Sequence, residues 1–174
     1  PNMYDDSFNS PTAGCVTDGS LGYPYDVCLT QAQLDAVAEL CAEAGEAMLM
    51  DYGCSASSAY MSDVESAFEN AFRYSSNANI VHRSDYTATE WFDLIKVQLN
   101  LNRPMEYGVL RHAIVCDGWQ DLDGIRQYHM NYGWDSIYTT WYTLDALHYP
   151  AGGDLEDEEM LRSIYPNVGI GLSF

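Results

Sequence analysis

Apolar residues recur at helical spacing in three stretches of the chain and at alternating spacing over most of its C-terminal part. Leu34, Val37, Ala38 and Cys41 form a one-sided stripe, Thr30 with Gln33 supplies a capping-box start, and Gly45 suits an end. This pattern predicts a helix from residue 30 with Cys41 on its inward face. A second helix is expected from Ser62, with Val64, Ala67, Phe68, Ala71 and Phe72 inward. Thr87 and Glu90 cap a third, which buries Trp91, Leu94, Ile95 and Leu99 before Arg103 and Pro104 end it. A small-residue loop, Asp51 to Tyr60, joins the first two helices.

From Pro104 the period shortens to two, and turn residues separate the apolar runs. Strands are expected near 105–108, 112–118, 126–131, 138–143 and 164–171, with a glycine-containing hairpin at Asp121–Gly124. The run Asp154–Glu159 reads as a solvated acidic loop; a calcium site is the weaker alternative, because no ordered ligand pattern is present. Residues 1–29, rich in Asn, Asp, Ser, Gly, Pro and Tyr, show no sustained period and are expected to be irregular. Helices first and antiparallel strands afterwards predict an α+β domain over residues 30–174.

Composition narrows the classes of partner. The chain has 174 residues, enough to bury a core without disulfide or metal support. Seven Lys and Arg against 26 Asp and Glu give a formal net charge of −19. Such a surface repels nucleic acid and anionic lipid, so neither is an expected partner. No apolar run is long enough for a membrane span. The five cysteines (Cys15, Cys28, Cys41, Cys54 and Cys116) include no pair at zinc-binding spacing, so no metal is expected, and their odd number leaves at least one free thiol. A start at Pro1 suggests a processed product, a trimmed sequence or a fragment of a longer gene.

The candidate chemistry lies in the strand half. His112 heads an apolar strand, and Asn131 ends the strand expected to pair with it. A His and an Asn on neighbouring strands are two parts of a thiol-peptidase site, in which imidazole takes the thiol proton and a carboxamide holds the ring. Tyr132 and Trp134 are placed to cover that contact and exclude water. A lone histidine at a strand start is more often structural or exposed, and Cys116, inside the same strand, reads as a small core residue. His82, His129 and His148 have no partner that the sequence names.

The neighbouring motifs add to this. The segments RPMEYG, RHAIVCDGWQ, YHMNYGWDS and YTTWYTLDAL, in that order, resemble the C-terminal half of the streptopain family of secreted bacterial cysteine peptidases, which have a papain-like fold. In that family a Gly-His-Ala strand carries the catalytic histidine, and His-x-Asn-Trp-Gly-Trp-Gly carries the orienting asparagine. Upstream, AVAELCAEAGEAMLMDYGCSASSAYMSDVESAFENAF resembles the paired helices around a Tyr-Gly-x-Ser loop, and SDYTATEWFDLIKVQLNLNRP the helix after it. The resemblance spans roughly residues 30 to 172.

The resemblance implies a cysteine endopeptidase acting on peptide or protein, secreted or at the cell surface, without metal or organic cofactor. It implies that His112 is the general base and Asn131 its orienter. Ser55, Ser57 and Ser58 match a loop lining the substrate cleft, an ordinary connection being the alternative; Tyr132 and Trp134 match the aromatic positions of the asparagine motif. Three departures stand out: Arg111 occupies the place of the glycine before the histidine, at the mouth of the cleft; Tyr132 stands for a Trp; and Asp135-Ser136 stand for glycines.

The nucleophile is the largest departure. The family places it in Gly-Cys-Val-Ala-Thr-Ala at the start of a long helix, where the helix N-terminus lowers the thiol pKa. Cys15, in Ala-Gly-Cys-Val, echoes that motif, but Gly19, Gly22 and Pro24 come after it and forbid a long helix. Cys15 is therefore the candidate nucleophile or a loop cysteine, free or bonded to Cys28; Cys54 is a second candidate. The domain is expected to lack the nucleophile helix, with an N-terminal segment or propeptide outside this chain as a further partner. A scaffold that binds peptide or protein without cleavage is the alternative function.

Overall fold

In a computed structural model of the chain, residues 30–134, 137–144, 146–147 and 158–167 are described, together with the backbone of two short strands nearer the N-terminus. The chain forms two compact units, Pro1–Asp63 and Val64–Phe174.

In the first unit, β1 (Cys15–Val16) pairs antiparallel with β2 (Val27–Cys28), the backbones of Cys15 and Cys28 lying opposite one another inside the segment expected to be irregular. Helix α1 (Gln31–Ala47) starts with the expected capping box: the Gln33 N–H donates to Thr30 Oγ1 at 3.3 Å, and the Thr30 N–H to Gln33 Oε1 at 2.8 Å. It runs past Gly45, where the Tyr52 hydroxyl fills the space a Cβ would take. The expected apolar stripe is covered only in part: Leu34 and Ala38 are half-buried, whereas Val37 is 55% exposed and Cys41 is exposed rather than inward. The next loop carries a two-stranded ladder, β3 (Asp51–Tyr52) with β4 (Ser57–Ser58), and leads into α2 (Met61–Asn70), which continues into the second unit.

The second unit is a six-stranded antiparallel sheet in the order β5-β10-β6-β7-β8-β9. Its strands are β5 (Asn79–His82), β6 (Met105–Val109), β7 (His112–Leu122), β8 (Ile125–Asn131), β9 (Thr140–Thr143) and β10 (Glu159–Arg162). Helix α3 (Ala88–Asn100), capped by Thr87 and Glu90 as expected, packs on one face. That face holds Met105, Tyr107, Ile114, Cys116, Tyr128, Met130 and Met160 against Trp91, Phe92 and Ile95 of the helix. Alternation alone would turn Trp119 away from α3. A bulge at Asp117 shifts the register between Cys116 and Gly118 and returns Trp119 to the helix side, where it meets Phe92 edge-on at 6.1 Å.

The expected strands at 105–108, 112–118 and 126–131 are present and somewhat longer, and β9 is shorter than 138–143. The last strand among the described residues is at Glu159–Arg162; of the expected 164–171, residues 164–167 hold only an isolated bridge from Pro166 to Tyr74, and the remainder lies outside the described residues. Strand β5 carried no alternation to betray it. Ala71, expected inward, is exposed. The acidic run is corrected at its end: Glu158 is fully buried, while 154–157 lie outside the described residues. Glu158 is tolerated there because its carboxylate accepts a short hydrogen bond from the Tyr107 hydroxyl, which in turn accepts from Trp91 Nε1 at 3.0 Å.

Candidate active site

The β6–β7 hairpin sets His112 in place. Val109 and His112 are cross-strand partners joined by the two residues Leu110 and Arg111, and Arg111 takes φ +61°. A left-handed conformation costs a residue with a Cβ about 1–2 kcal/mol, which is the physical reason for a glycine at this position in the related motif. At the far end of β7, Asp123 and Gly124 (φ +53° and +85°) form the expected Asp-Gly hairpin, which aligns β8 so that Asn131 lies opposite Val115.

That register decides how His112 and Asn131 relate. Asn131 stands opposite the third residue beyond His112, an odd offset, so alternation turns the two side chains to opposite faces. The two strands are neighbours as expected, but the carboxamide does not hold the ring. His112 Nε2 is 3.0 Å from the main-chain oxygen of Tyr132 instead. A carbonyl only accepts, so Nε2 carries a proton, and in the neutral ring the lone pair is then at Nδ1. The imidazole stacks on Trp134 at 4.3 Å between centroids and on Tyr132 at 5.9 Å. Tyr132 is buried, whereas Trp134 is partly exposed and forms the wall of the site.

Asn131 is bound within its own turn. Its Oδ1 accepts from the Gly133 N–H at 2.9 Å and from the Thr139 hydroxyl at 3.5 Å, and that hydroxyl accepts from the Tyr132 N–H at 3.4 Å. Thr139 and Tyr138, which faces Trp134 edge-on at 6.2 Å, are site neighbours that sequence patterning did not single out. A hydroxyl in a turn-rich stretch has no distinguishing spacing. A second histidine pair lies two residues back along β8: His129 Nδ1 is 2.5 Å from Asp117 Oδ1, and the ring meets Trp141 edge-on. Gly118 is closely covered there, since a Cβ would come within 3.1 Å of both His129 and Trp141.

Most of the other candidate residues belong to the first unit. Ser57 and Ser58 form β4, and Ser55 lies in the loop before it, all exposed in the first unit; exposed Cys54 shares that loop. Of Cys15 the backbone alone is described. Cys116 is the one cysteine of the unit that carries His112; it is fully buried, and burial, with Asp117 adding, pushes its thiol far above the usual range. It is the inert core residue expected. Glu106 lines an apolar cavity of about 400 Å³ with Phe68, Tyr74, Ala113, Val115 and Ile164; burial, with Glu159 adding, raises its carboxyl to about 7. Among the described residues no group of three or more His, Cys, Asp or Glu is arranged to hold a metal ion, and no helix is long and apolar enough to cross a membrane.

Comparison with known proteins places this geometry in context. Residues 11–142 match the model of the Peptidase C10 family. Streptopain of Streptococcus pyogenes is 37% identical over 128 residues, covering 71% of this chain and 31% of streptopain. The thiol protease/hemagglutinin PrtT of Porphyromonas gingivalis is 33% identical over 114 residues, covering 59% of this chain and 13% of that protein. The chain therefore spans about a third, or less, of the length of these curated relatives. Among solved structures, a fragment of Prevotella intermedia prointerpain A superposes with a TM-score of 0.66 at 28% identity, over 83% of this chain and 46% of that one. The active wild-type interpain A cysteine protease gives 0.64 at 25% identity, over 94% and 65%. The α+β fold is that of the papain-like cysteine peptidases.

Proposed function

Because the chain belongs to the Peptidase C10 family, we propose that it carries the histidine half of a cysteine endopeptidase site, with His112 as general base. The observation that supports this most is the state of the imidazole. Its Nε2–H is committed to the Tyr132 carbonyl and its ring is pressed on Trp134, so the lone pair at Nδ1 has a fixed direction.

In the proposed reaction Nδ1 takes the proton of a cysteine thiol, and the thiolate attacks the carbonyl carbon of a peptide bond. The imidazolium then returns the proton to the leaving amine, and a thioester remains. A water molecule, deprotonated by the same nitrogen, hydrolyses the thioester and frees the carboxylate product. The substrate is a peptide or protein, approaching beside Trp134 with Arg111 at the mouth of the cleft; Ser55, Ser57 and Ser58 of the first unit are the candidate substrate-binding loop. Cys15 is the candidate thiolate within the chain, with an N-terminal segment or propeptide outside it as the alternative source. The proposed place of action is outside the cell or at its surface, where a net charge of −19 keeps the chain soluble.

A second reading, peptide binding without cleavage, is favoured by one observation: the only thiol in the unit of His112 is buried and held protonated. Hydrolysis of an unfolded protein substrate at neutral pH separates the two. Peptide-bond cleavage abolished by His112→Ala is the expected result. Saturable binding of the same substrate without release of new amino termini would favour the scaffold.

A further inference from the structure

The Asn131 side chain and the His112 ring hold opposite edges of one peptide group. The Gly133 N–H, which donates to Asn131 Oδ1 at 2.9 Å, and the Tyr132 carbonyl, 3.0 Å from His112 Nε2, belong to the same peptide plane. In a trans peptide these two groups point in opposite directions. Fixing the N–H therefore fixes where the oxygen points. Gly133, at φ +71°, lets the chain turn there without a Cβ penalty. Thr139 holds the same turn from just before β9, its hydroxyl accepting from the Tyr132 N–H at 3.4 Å and donating to Asn131 Oδ1 at 3.5 Å.

We propose that Asn131 and Thr139 are positioning residues for His112 that act through this turn, and that the group holding the imidazole is the Tyr132 carbonyl. The Asn131 carboxamide has one acceptor atom, and the turn already uses it twice. The register also turns it to the face away from the ring. Thr139 thereby becomes as necessary to the ring as Asn131, through its hydrogen bonds to the Tyr132 N–H and to Asn131 Oδ1. The inference rests on His112 being the base, but it concerns the ring itself, so its test needs no turnover.

The experiment is nitrogen-15 NMR of the neutral His112 imidazole in the full chain at alkaline pH. The expected form is the Nε2–H tautomer, with a coupling across the hydrogen bond to the Tyr132 carbonyl carbon. Thr139→Val and Asn131→Ala should each lower the ratio of Nε2–H to Nδ1–H about fivefold, the equivalent of one ordinary hydrogen bond. Thr139→Ser keeps the hydroxyl and Asn131→Asp keeps the acceptor for Gly133, so both should retain the parent tautomer. The amide spectrum reports whether each variant is folded, and the coupling in the unaltered chain stands even if Thr139→Val is not. A coupling to the Asn131 side-chain carbon would overturn the proposal, as would a folded Thr139→Val with an unchanged tautomer ratio. A chain with the predicted tautomer but no peptidase activity would sink the proposed function and leave this inference intact.

Discussion

Replacing Tyr107 by Phe removes one oxygen atom from the centre of the sheet and disturbs two hydrogen bonds. Trp91, Tyr107 and Glu158 are all fully buried, and they form a line from α3 through β6 to the residue preceding β10. Burial first, with Tyr128 and Glu158 adding, pushes the Tyr107 phenol well above its usual range, so it remains the donor to the carboxylate. The Phe ring fills the same space apart from the hydroxyl, and no cavity term is expected. The loss is polar. A hydrogen bond to a charged group is worth about 1.5–3 kcal/mol, and a buried indole N–H left without its acceptor costs about 1–3 kcal/mol more. The expected destabilisation is thus about 2.5–6 kcal/mol, a large fraction of the stability of a domain this size. Urea unfolding followed by tryptophan fluorescence measures it, with the slope checked for constancy. A Tyr107→Phe chain within about 0.5 kcal/mol of the parent would refute the reasoning, since it would mean that the hydroxyl contributes nothing net.

The same geometry predicts four further outcomes. Arg111→Gly relieves the φ +61° conformation and should raise stability by about 0.5–1 kcal/mol in thermal unfolding; a lowered midpoint would count against strain at that turn. Gly118→Ala pushes into His129 and Trp141 and should cost about 1–3 kcal/mol by the same assay, a neutral result meaning that the β8–β9 cover is loose. Glu106, raised to about 7, binds its proton more readily folded than unfolded, so its contribution is intact below about pH 4.5 and is lost as pH rises through about 7. Glu106→Gln should flatten that decline by about 2–3 kcal/mol between pH 4.5 and 8, and an unchanged slope would remove burial as its cause. In the native chain Cys41 and Cys54 should be alkylated readily and Cys116 only on unfolding, measured by mass spectrometry; rapid modification of Cys116 would contradict its burial.

Local rules with a chemical partner in the sequence were the most legible. Both capping boxes are formed, at Thr30 with Gln33 and at Thr87 with Glu90, because each needs only residues three apart. The Asp-Gly turn is formed for the same reason. Burial was less legible wherever it depends on what covers a face. The spacing of Leu34, Val37 and Cys41 groups them on one side of α1, yet Cys41 is exposed. A run of acids hides the one that is buried, because the tyrosine that satisfies Glu158 lies 51 residues away. The partial site shows the same division. Spacing was enough to make β7 and β8 neighbours, but the relation of His112 to Asn131 depends on a one-residue matter of register, and register is set by the two turns. His129 and His82 likewise have partners, Asp117 and Glu159, that only the pairing of strands brings near.

The proposed role of His112 is that of the base in a cysteine peptidase site. A peptide carrying a thiol-reactive group, incubated with the full chain at neutral pH and mapped by mass spectrometry, tests it most directly. The expected result is labelling of one cysteine, with Cys15 the candidate within the chain and Cys54 the second, that disappears in His112→Ala while general alkylation of Cys41 is unchanged. Labelling that is absent, or that is the same with and without the imidazole, would contradict a base role for His112 in this chain.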